Sequence, residues 1–312
     1  MCNTPLFPER EPHQQDGKLI KPVFGHGLLK TRVLYVSDLD GTLLTPDAEV
    51  SPRSAYMLNE AIAGGTLFTV ATARTPATVV PSLSDVNMQL PAVVMTGAAL
   101  YDLQTRNYSR VCTLSAETVQ KLIHLYRKHE VATFIYTIEG DMLQVYHIGV
   151  LNDFERQFME LRAGTPFKTF HVPPHGESQL PMSTDNTILL FSVQPWQRAY
   201  SLYEEICRNS VACTPLCYHD AFGPDWGELE VFGPQTSKAA AVEAIASITG
   251  AGRIVAFGDN VNDMPLFALA DEKIAVSGAI DSLKAVATDV IGSNADDAVA
   301  SFILTHYRAS IS

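Results

Sequence analysis

The stretch Arg32-Val-Leu-Tyr-Val-Ser-Asp38-Leu-Asp40-Gly-Thr42 decides the fold. Its first half is apolar without alternation, the pattern of a parallel strand buried on both faces. The strand ends at Asp38, and Gly41-Thr42 turns the chain once two carboxylates have been presented. Further on, Ser51-Pro52 reads as an N-cap followed by proline at the first helical position, and Gly64-Gly65 as that helix's stop. Apolar strands follow at 67–71 and 92–95. Strand, helix and strand in this order form the repeating unit of a parallel α/β sheet.

Between about residues 107 and 226 the texture changes. A helix at 115–129 carries Val119, Leu122, Ile123 and Tyr126 on one face. Strands at 133–139 and 142–148 join at Gly140-Asp141 like a hairpin. Further helices are expected at 152–162 and 197–208, and strands at 187–193 and 211–218. After Ser237 the first texture returns, with helices at 238–248 and 263–270 and strands at 253–257, 273–276 and 289–291. The expected architecture is α/β: a Rossmann-like doubly wound parallel sheet core with an inserted α+β module. The divisions are an N-terminal extension at 1–30, a core at 31–106 and 227–312, and the insert at 107–226.

With 312 residues, 46% of them hydrophobic, the chain can bury a large core, and two domains are expected. A formal charge of -12 repels nucleic acid and anionic membrane surfaces, so neither is expected as a partner. Five cysteines, scattered and odd in number, favour reduced thiols and a cytoplasmic enzyme. Residues 1–22 mix prolines and charges without an apolar core of signal-peptide length. No apolar run approaches the roughly 18 residues of a membrane span.

A second pair of acids stands after another apolar strand, in Gly258-Asp259-Asn-Val-Asn262-Asp263. Two strand ends thus deliver carboxylates to one sheet edge, the edge where open α/β sheets bind ligands. Like charges about 4 Å apart repel by roughly 4 kcal/mol at an effective dielectric near 20, so a cation must sit among them. A hard divalent ion fits, and magnesium suits a site of two or three carboxylates, water and a substrate phosphate. Lys238, at a helix start between the two acidic motifs, offers a second positive charge. A lone Asp-x-Asp-Gly is as often an ordinary turn, and a lone lysine is usually a solvated charge. The ordered set of acids, threonine and lysine is what separates this chain from those readings.

At these residues the chain resembles the haloacid dehalogenase superfamily of phosphatases, whose four motifs occur in order. They are Asp38-Leu-Asp-Gly-Thr42, Thr72 after its strand, Lys238, and Gly258-Asp259-Asn-Val-Asn262-Asp263. Only 32 positions separate Asp40 from Thr72 (72 − 40), against 166 from Thr72 to Lys238 (238 − 72). The insert therefore falls between the second and third motifs, as in the Cof-type (subclass IIB) subgroup, where it is a substrate-specificity cap. Thr96-Gly-Ala-Ala-Leu-Tyr-Asp102 also resembles that subgroup's stretch before the cap.

The resemblance implies a magnesium-dependent phosphatase of small phosphorylated metabolites, sugar phosphates or similar phosphomonoesters. Asp38 would attack phosphorus to form an aspartyl phosphate, and Asp40 would protonate the leaving alcohol and then activate water. Mg2+ would be held by Asp38, the Asp40 carbonyl and Asp259, with Asp263 a ligand or just behind the ligands. Leu39, Thr72, Ala73, Lys238 and Asn262 would bind the phosphoryl group. Three positions depart from the subgroup's pattern: Ala73 for glycine, Thr96 for asparagine, and Ser277-Gly278-Ala279 for Gly-Asn-Ala. None removes a catalytic carboxylate, and Arg74 either orients the loop, touches substrate or forms a surface ion pair. Two alternatives stand beside this reading: a phosphosugar mutase sharing Asp38 and Asp40, and a non-catalytic phosphosugar-binding protein. In the cap, residues 139–142 and 219–226 are the candidates for choosing substrate. His171-Val-Pro-Pro-His175 is read as a loop, because two prolines prevent a helix from aligning the imidazoles.

Overall fold

Strand β1, Val33–Ser37, is buried from Leu34 onward and leads straight into Asp38. The structure is a computed structural model that describes residues 32–172, 180–181, 183–219, 223 and 225–311; the expected extension at 1–30 and His175 lie outside them. Helix α1, Pro52–Ala63, starts where Ser51 Oγ accepts the Ser54 amide at 2.9 Å, with proline at its first position. Strand β2 (Leu67–Val70), helix α2 (Pro76–Ser82) and strand β3 (Ala92–Val94) complete the first crossovers. Strands β4 (Ala99–Asp102) and β5 (Asn107–Ser109) then fold back antiparallel on β3.

The inserted module comprises α3 (Ala116–Lys128), β6 (Thr133–Glu139), β7 (Met142–Ile148), α4 (Asp153–Glu160), β8 (Lys168–His171), β9 (Thr187–Pro195), α5 (Trp196–Arg208), β10 (Thr214–His219) and β11 (Trp226–Phe232). Its six strands lie in the order β10-β11-β9-β6-β7-β8. Strand period sorts their side chains onto two faces. Ile135, Leu190, Leu229 and Val231 pack under α3 and α5, forming one cluster with Val119, Leu122, Tyr126, Leu202 and Ile206. Phe134, Tyr136, Leu189 and Phe191 join the other cluster, which is continuous with the parallel-sheet core.

Two strands differ from the sequence expectation, and both move the edges of the insert. Strand β11 pairs with β9 and β10, so the cap sheet runs to Phe232, past the expected return at 227. Leu229 and Val231, which alternate with Glu228 and Glu230 along the strand, are fully buried. At the other edge, β5 pairs with β4 rather than with the cap, so residues 107–109 are not part of the inserted sheet. Strand β8, four residues long, falls below what period-two reading detects. His171 at its end stacks on Tyr146 and bonds Gln144 at 2.7 Å, a packing role.

The return passes through α6 (Lys238–Thr249), β12 (Arg253–Gly258), α7 (Met264–Leu269), β13 (Glu272–Val276), α8 (Asp281–Lys284), β14 (Asp289–Ile291) and α9 (Ala298–Ile311). The core sheet has the order β14-β13-β12-β1-β2, with every pair parallel, and β3 joins it through an Ala71–Val93 bridge. Helix α9, absent from the expected elements, buries Val299, Ala300, Ile303 and Leu304 and packs against α1. Strands β1 and β12 are neighbours with Ser37 opposite Phe257. That register places Asp38 and Asp259 side by side although 221 positions separate them (259 − 38). No helix among the described residues is long and apolar enough to cross a membrane.

Candidate active site

The carboxyl ends of β1, β2 and β12 meet at one edge of the parallel sheet. The Asp38 amide donates to the Phe257 carbonyl at 3.1 Å, fastening the two strand ends together. Gly41, at φ +74°, lets the chain turn back beside β12; a Cβ there would lie 2.4 Å from an Asp259 carboxylate oxygen. Thr42 then donates to Asp259 Oδ1 at 3.2 Å. Asp38, Asp259 and Asp263 each bring a carboxylate oxygen within 4.8 Å of the others.

Lys238 holds this cluster from behind. Ser237 caps α6 by accepting the Ala240 amide at 3.0 Å, which fixes Lys238 at the helix's first residue. Its ammonium donates to Asp38 Oδ1 at 2.6 Å and Asp263 Oδ1 at 2.8 Å, and only 2% of the residue is exposed. Asp263 Oδ2 accepts the amides of Asp259 and Asn260 at 3.0 and 3.2 Å, so both its oxygens are committed to protein donors. Asp38 Oδ2, by contrast, has no protein donor among the described residues.

The cluster is short of positive charge. Burial pushes the Asp38 carboxyl up to about 7 against the pull of Lys238, and Asp263 and Asp259 add to the push. Burial and Asp263 likewise push Asp259 up to about 6. Burial works against the Lys238 ammonium, but Asp38 and Asp263 outweigh it and raise its pKa. Three carboxylates against one ammonium leave a formal charge of -2, which one divalent cation balances. All the donors are hard oxygens, so the residues present fit Mg2+.

Two chambers open in front of the cluster. The smaller, about 260 Å3, is lined by Asp38, Asp40, Gly41, Thr72, Ala73, Asp259, Asn260 and Asn262. The larger, about 520 Å3, lies under the cap sheet and shares Asp40 and Ala73 with the first. Of the expected phosphate-binding residues, Thr72, Ala73 and Asn262 line the small chamber. Lys238 does not: it stands behind Asp38. The Leu39 side chain is fully buried in the core, which leaves only its backbone for such a role.

Arg74 takes the Asp40 carboxylate, donating from Nε at 2.8 Å and from Nη2, and donates from Nη1 to Ser82 at 3.0 Å. The loop beneath is laced tightly: the Arg74 amide donates to Thr72 Oγ1 at 3.1 Å, and Met95 donates to the Arg74 carbonyl at 3.0 Å. Ala73 is not among the residues with positive φ, so the methyl that replaces the usual glycine hydrogen strains no backbone there. Thr96 does have positive φ, at +57°, the region where asparagine is at ease and a β-branched residue is not. Next to it Gly97 lets the turn touch the start of α6, where a Cβ would fall 2.2 Å from the Ser237 carbonyl oxygen.

The cap residues that face Asp40 differ from those expected. Residues 139–142 do not line the large chamber, His219 stacks on Trp196, and Trp226 packs on Phe154; 220–222 and 224 lie outside the described residues. The chamber wall is instead Tyr136, Phe158, Arg162, Lys168, Phe191, Glu228 and Glu230, with others. They come from five segments that only the folded sheet assembles. The alternation of charge with apolar residues at 228–231 was the one signal available for them.

The profile of the haloacid dehalogenase-like hydrolases matches residues 35–303. Among curated proteins, pyridoxal phosphate phosphatase YbhA of Escherichia coli (strain K12) is 25% identical over 287 residues, 89% of this chain and 99% of that one. The 5-amino-6-(5-phospho-D-ribitylamino)uracil phosphatase YwtE of Bacillus subtilis (strain 168) is 28% identical over 283 residues, 85% of this chain and 95% of that one. Among solved structures, the HAD subclass IIB sugar phosphatase BT4131 superposes with a TM-score of 0.65 at 18% identity, over 89% of this chain and 99% of that one. At that identity the likeness is one of fold.

Proposed function

The chain belongs to the haloacid dehalogenase-like hydrolases, and from that premise we propose that it is a magnesium-dependent phosphatase of small phosphorylated metabolites. The observation that carries the reading is Asp38 itself. One of its oxygens is pinned by Lys238, while the other has no protein donor among the described residues and stands at the wall of the small chamber. A carboxylate aimed in this way is a nucleophile held in position.

In the first half-reaction an Asp38 oxygen bonds to phosphorus, the bond from phosphorus to the ester oxygen breaks, and Asp40 gives its proton to the departing alcohol. In the second, water attacks the aspartyl phosphate while Asp40 takes a proton from it, and the bond to Asp38 breaks to release inorganic phosphate. Asp40 suits both steps because it stands where the two chambers join, the place a leaving oxygen must occupy. Arg74, which donates to both Asp40 oxygens in the resting site, gives one of them up when Asp40 carries its proton, and Thr72, the Ala73 amide and Asn262 receive the phosphoryl oxygens. Asp38, Asp259 and the Asp40 carbonyl would hold Mg2+, with Asp263 behind them, and the ion would offset the charge of both the carboxylates and the phosphate.

The similar curated phosphatases act on phosphates borne by ring-containing organic molecules, which supports a small metabolite here. The test is phosphate release from a panel of phosphorylated metabolites with and without Mg2+, for wild type and Asp38→Asn. Release that depends on Mg2+ and is lost in the variant is expected; full activity in Asp38→Asn would sink the reading.

A further inference from the structure

The larger chamber holds a cationic corner that the reaction just described does not use. The cap sheet turns one face to the chamber, presenting Tyr136 on β6, Leu189 and Phe191 on β9, Glu228 and Glu230 on β11, and Lys168 on β8. Strand order places the two glutamates toward one edge and Lys168 at the other, with the aromatic strip between them. At the acidic edge, Tyr218 hydrogen-bonds both glutamates, and burial pushes Glu230 up to about 7. The acidic edge therefore carries its own partners.

Among the described residues, the basic edge has no anionic partner. Lys168 is only 6% exposed, and its ammonium makes no hydrogen bond or ion pair among the described residues; its one noted neighbour is the Phe170 ring, 5.3 Å away. Arg162, from the turn after α4, lies over the Phe158 ring at 3.9 Å and, among the described residues, its guanidinium reaches no acceptor except the Phe158 carbonyl, at 3.4 Å. Glu228 acts on Arg162 only as a longer-range attraction, not as an ion pair. Burial, helped by Arg162, brings the Lys168 ammonium down to about 8. A buried ammonium with no anion beside it, further disfavoured by the half-buried Arg162 guanidinium, opposes folding, and an arriving anion relieves that cost.

We propose that Arg162 and Lys168 form a second-anion subsite, and that the substrate is a phosphomonoester whose leaving group carries a further anionic group, a carboxylate or a second phosphate. This deepens the phosphatase reading and rests on it. The subsite lies on the leaving-group side, because its chamber meets the phosphate chamber at Asp40 and Ala73. A neutral polyol or an amine would find partners at the acidic edge and leave Lys168 unmet. Arg74 cannot serve in its place, since its guanidinium is already bound to Asp40 and Ser82.

The experiment compares phenyl phosphate with 3- and 4-carboxyphenyl phosphate and with 1,4-phenylene bisphosphate, in Mg2+, for wild type and Lys168→Met. A charge-assisted contact predicts a kcat/KM for an anionic probe roughly ten- to hundredfold above phenyl phosphate in wild type. Lys168→Met should erase that advantage through KM and leave phenyl phosphate within about twofold. Whichever probe gains identifies the group as carboxylate or phosphate. A second readout needs no turnover: Lys168→Met should melt no lower than wild type at pH 7, since it removes an unpaired buried charge. Equal kcat/KM for all probes in wild type, or an equal loss on all of them in the variant, would overturn the subsite while leaving the phosphatase standing. No Mg2+-dependent release from any probe, phenyl phosphate included, would overturn the phosphatase and the subsite with it.

Discussion

Replacing Lys238 with methionine tests the charge argument at the centre of the site. The lysine lies 2.6 and 2.8 Å from two buried carboxylates, and each contact is worth roughly 6 kcal/mol of gross attraction at an effective dielectric near 20. Removing it strands Asp38 and Asp263, and the folded variant's least costly remedy is to bind one proton. Breaking a buried pair by removing one partner costs about 3–5 kcal/mol, and a loss of that size is expected at pH 7.5. Wild-type Asp38 is itself pushed up to about 7, so wild type also takes up a proton below that pH, whereas above it only the folded variant holds one; the deficit relative to wild type therefore grows as pH rises past 7. Urea unfolding of wild type and Lys238→Met at both pH values, with and without Mg2+, measures it. The deficit should shrink at pH 5.5, and also on adding Mg2+, which supplies the missing charge at the same carboxylates. A variant within about 1 kcal/mol of wild type at pH 7.5 without metal would refute the reasoning.

Two further outcomes follow from groups outside the acid cluster. Glu230, pushed up to about 7 from an ordinary 4.5 by burial, contributes stability that is fully present below pH 4.5 and is lost as pH rises through 7. Glu230→Gln should therefore match wild type at pH 4.5 and exceed it by up to ~3 kcal/mol at pH 8, read from melting curves across that range. Thr96→Asn should raise stability by ~1 kcal/mol, because asparagine tolerates the left-handed backbone that strains threonine. An unchanged or lower melting temperature would show that the Thr96 side chain compensates for its backbone.

The parallel core and the acidic cluster are legible in the sequence alone. Each is written in short, local signals: a buried strand running into Asp38, another running into Asp259, a serine cap ahead of Lys238. Because parallel strands must present their carboxyl ends at one edge, those signals sufficed to bring the acids together in advance. Tertiary structure decided everything that depends on strands pairing across long gaps. The cap sheet runs to Phe232 because β11 pairs with β9, a pairing that the turn residues Gly223-Pro224 in the sequence ahead of it do not specify. Arg74 settles on Asp40 because two loops 34 positions apart (74 − 40) meet beside the small chamber. Lys168 and Arg162 line the larger chamber because a four-residue strand docks at the edge of that sheet. A lysine in a sequence is normally a solvated charge; the burial of Lys168 with no hydrogen bond or ion pair among the described residues is a property of the fold alone.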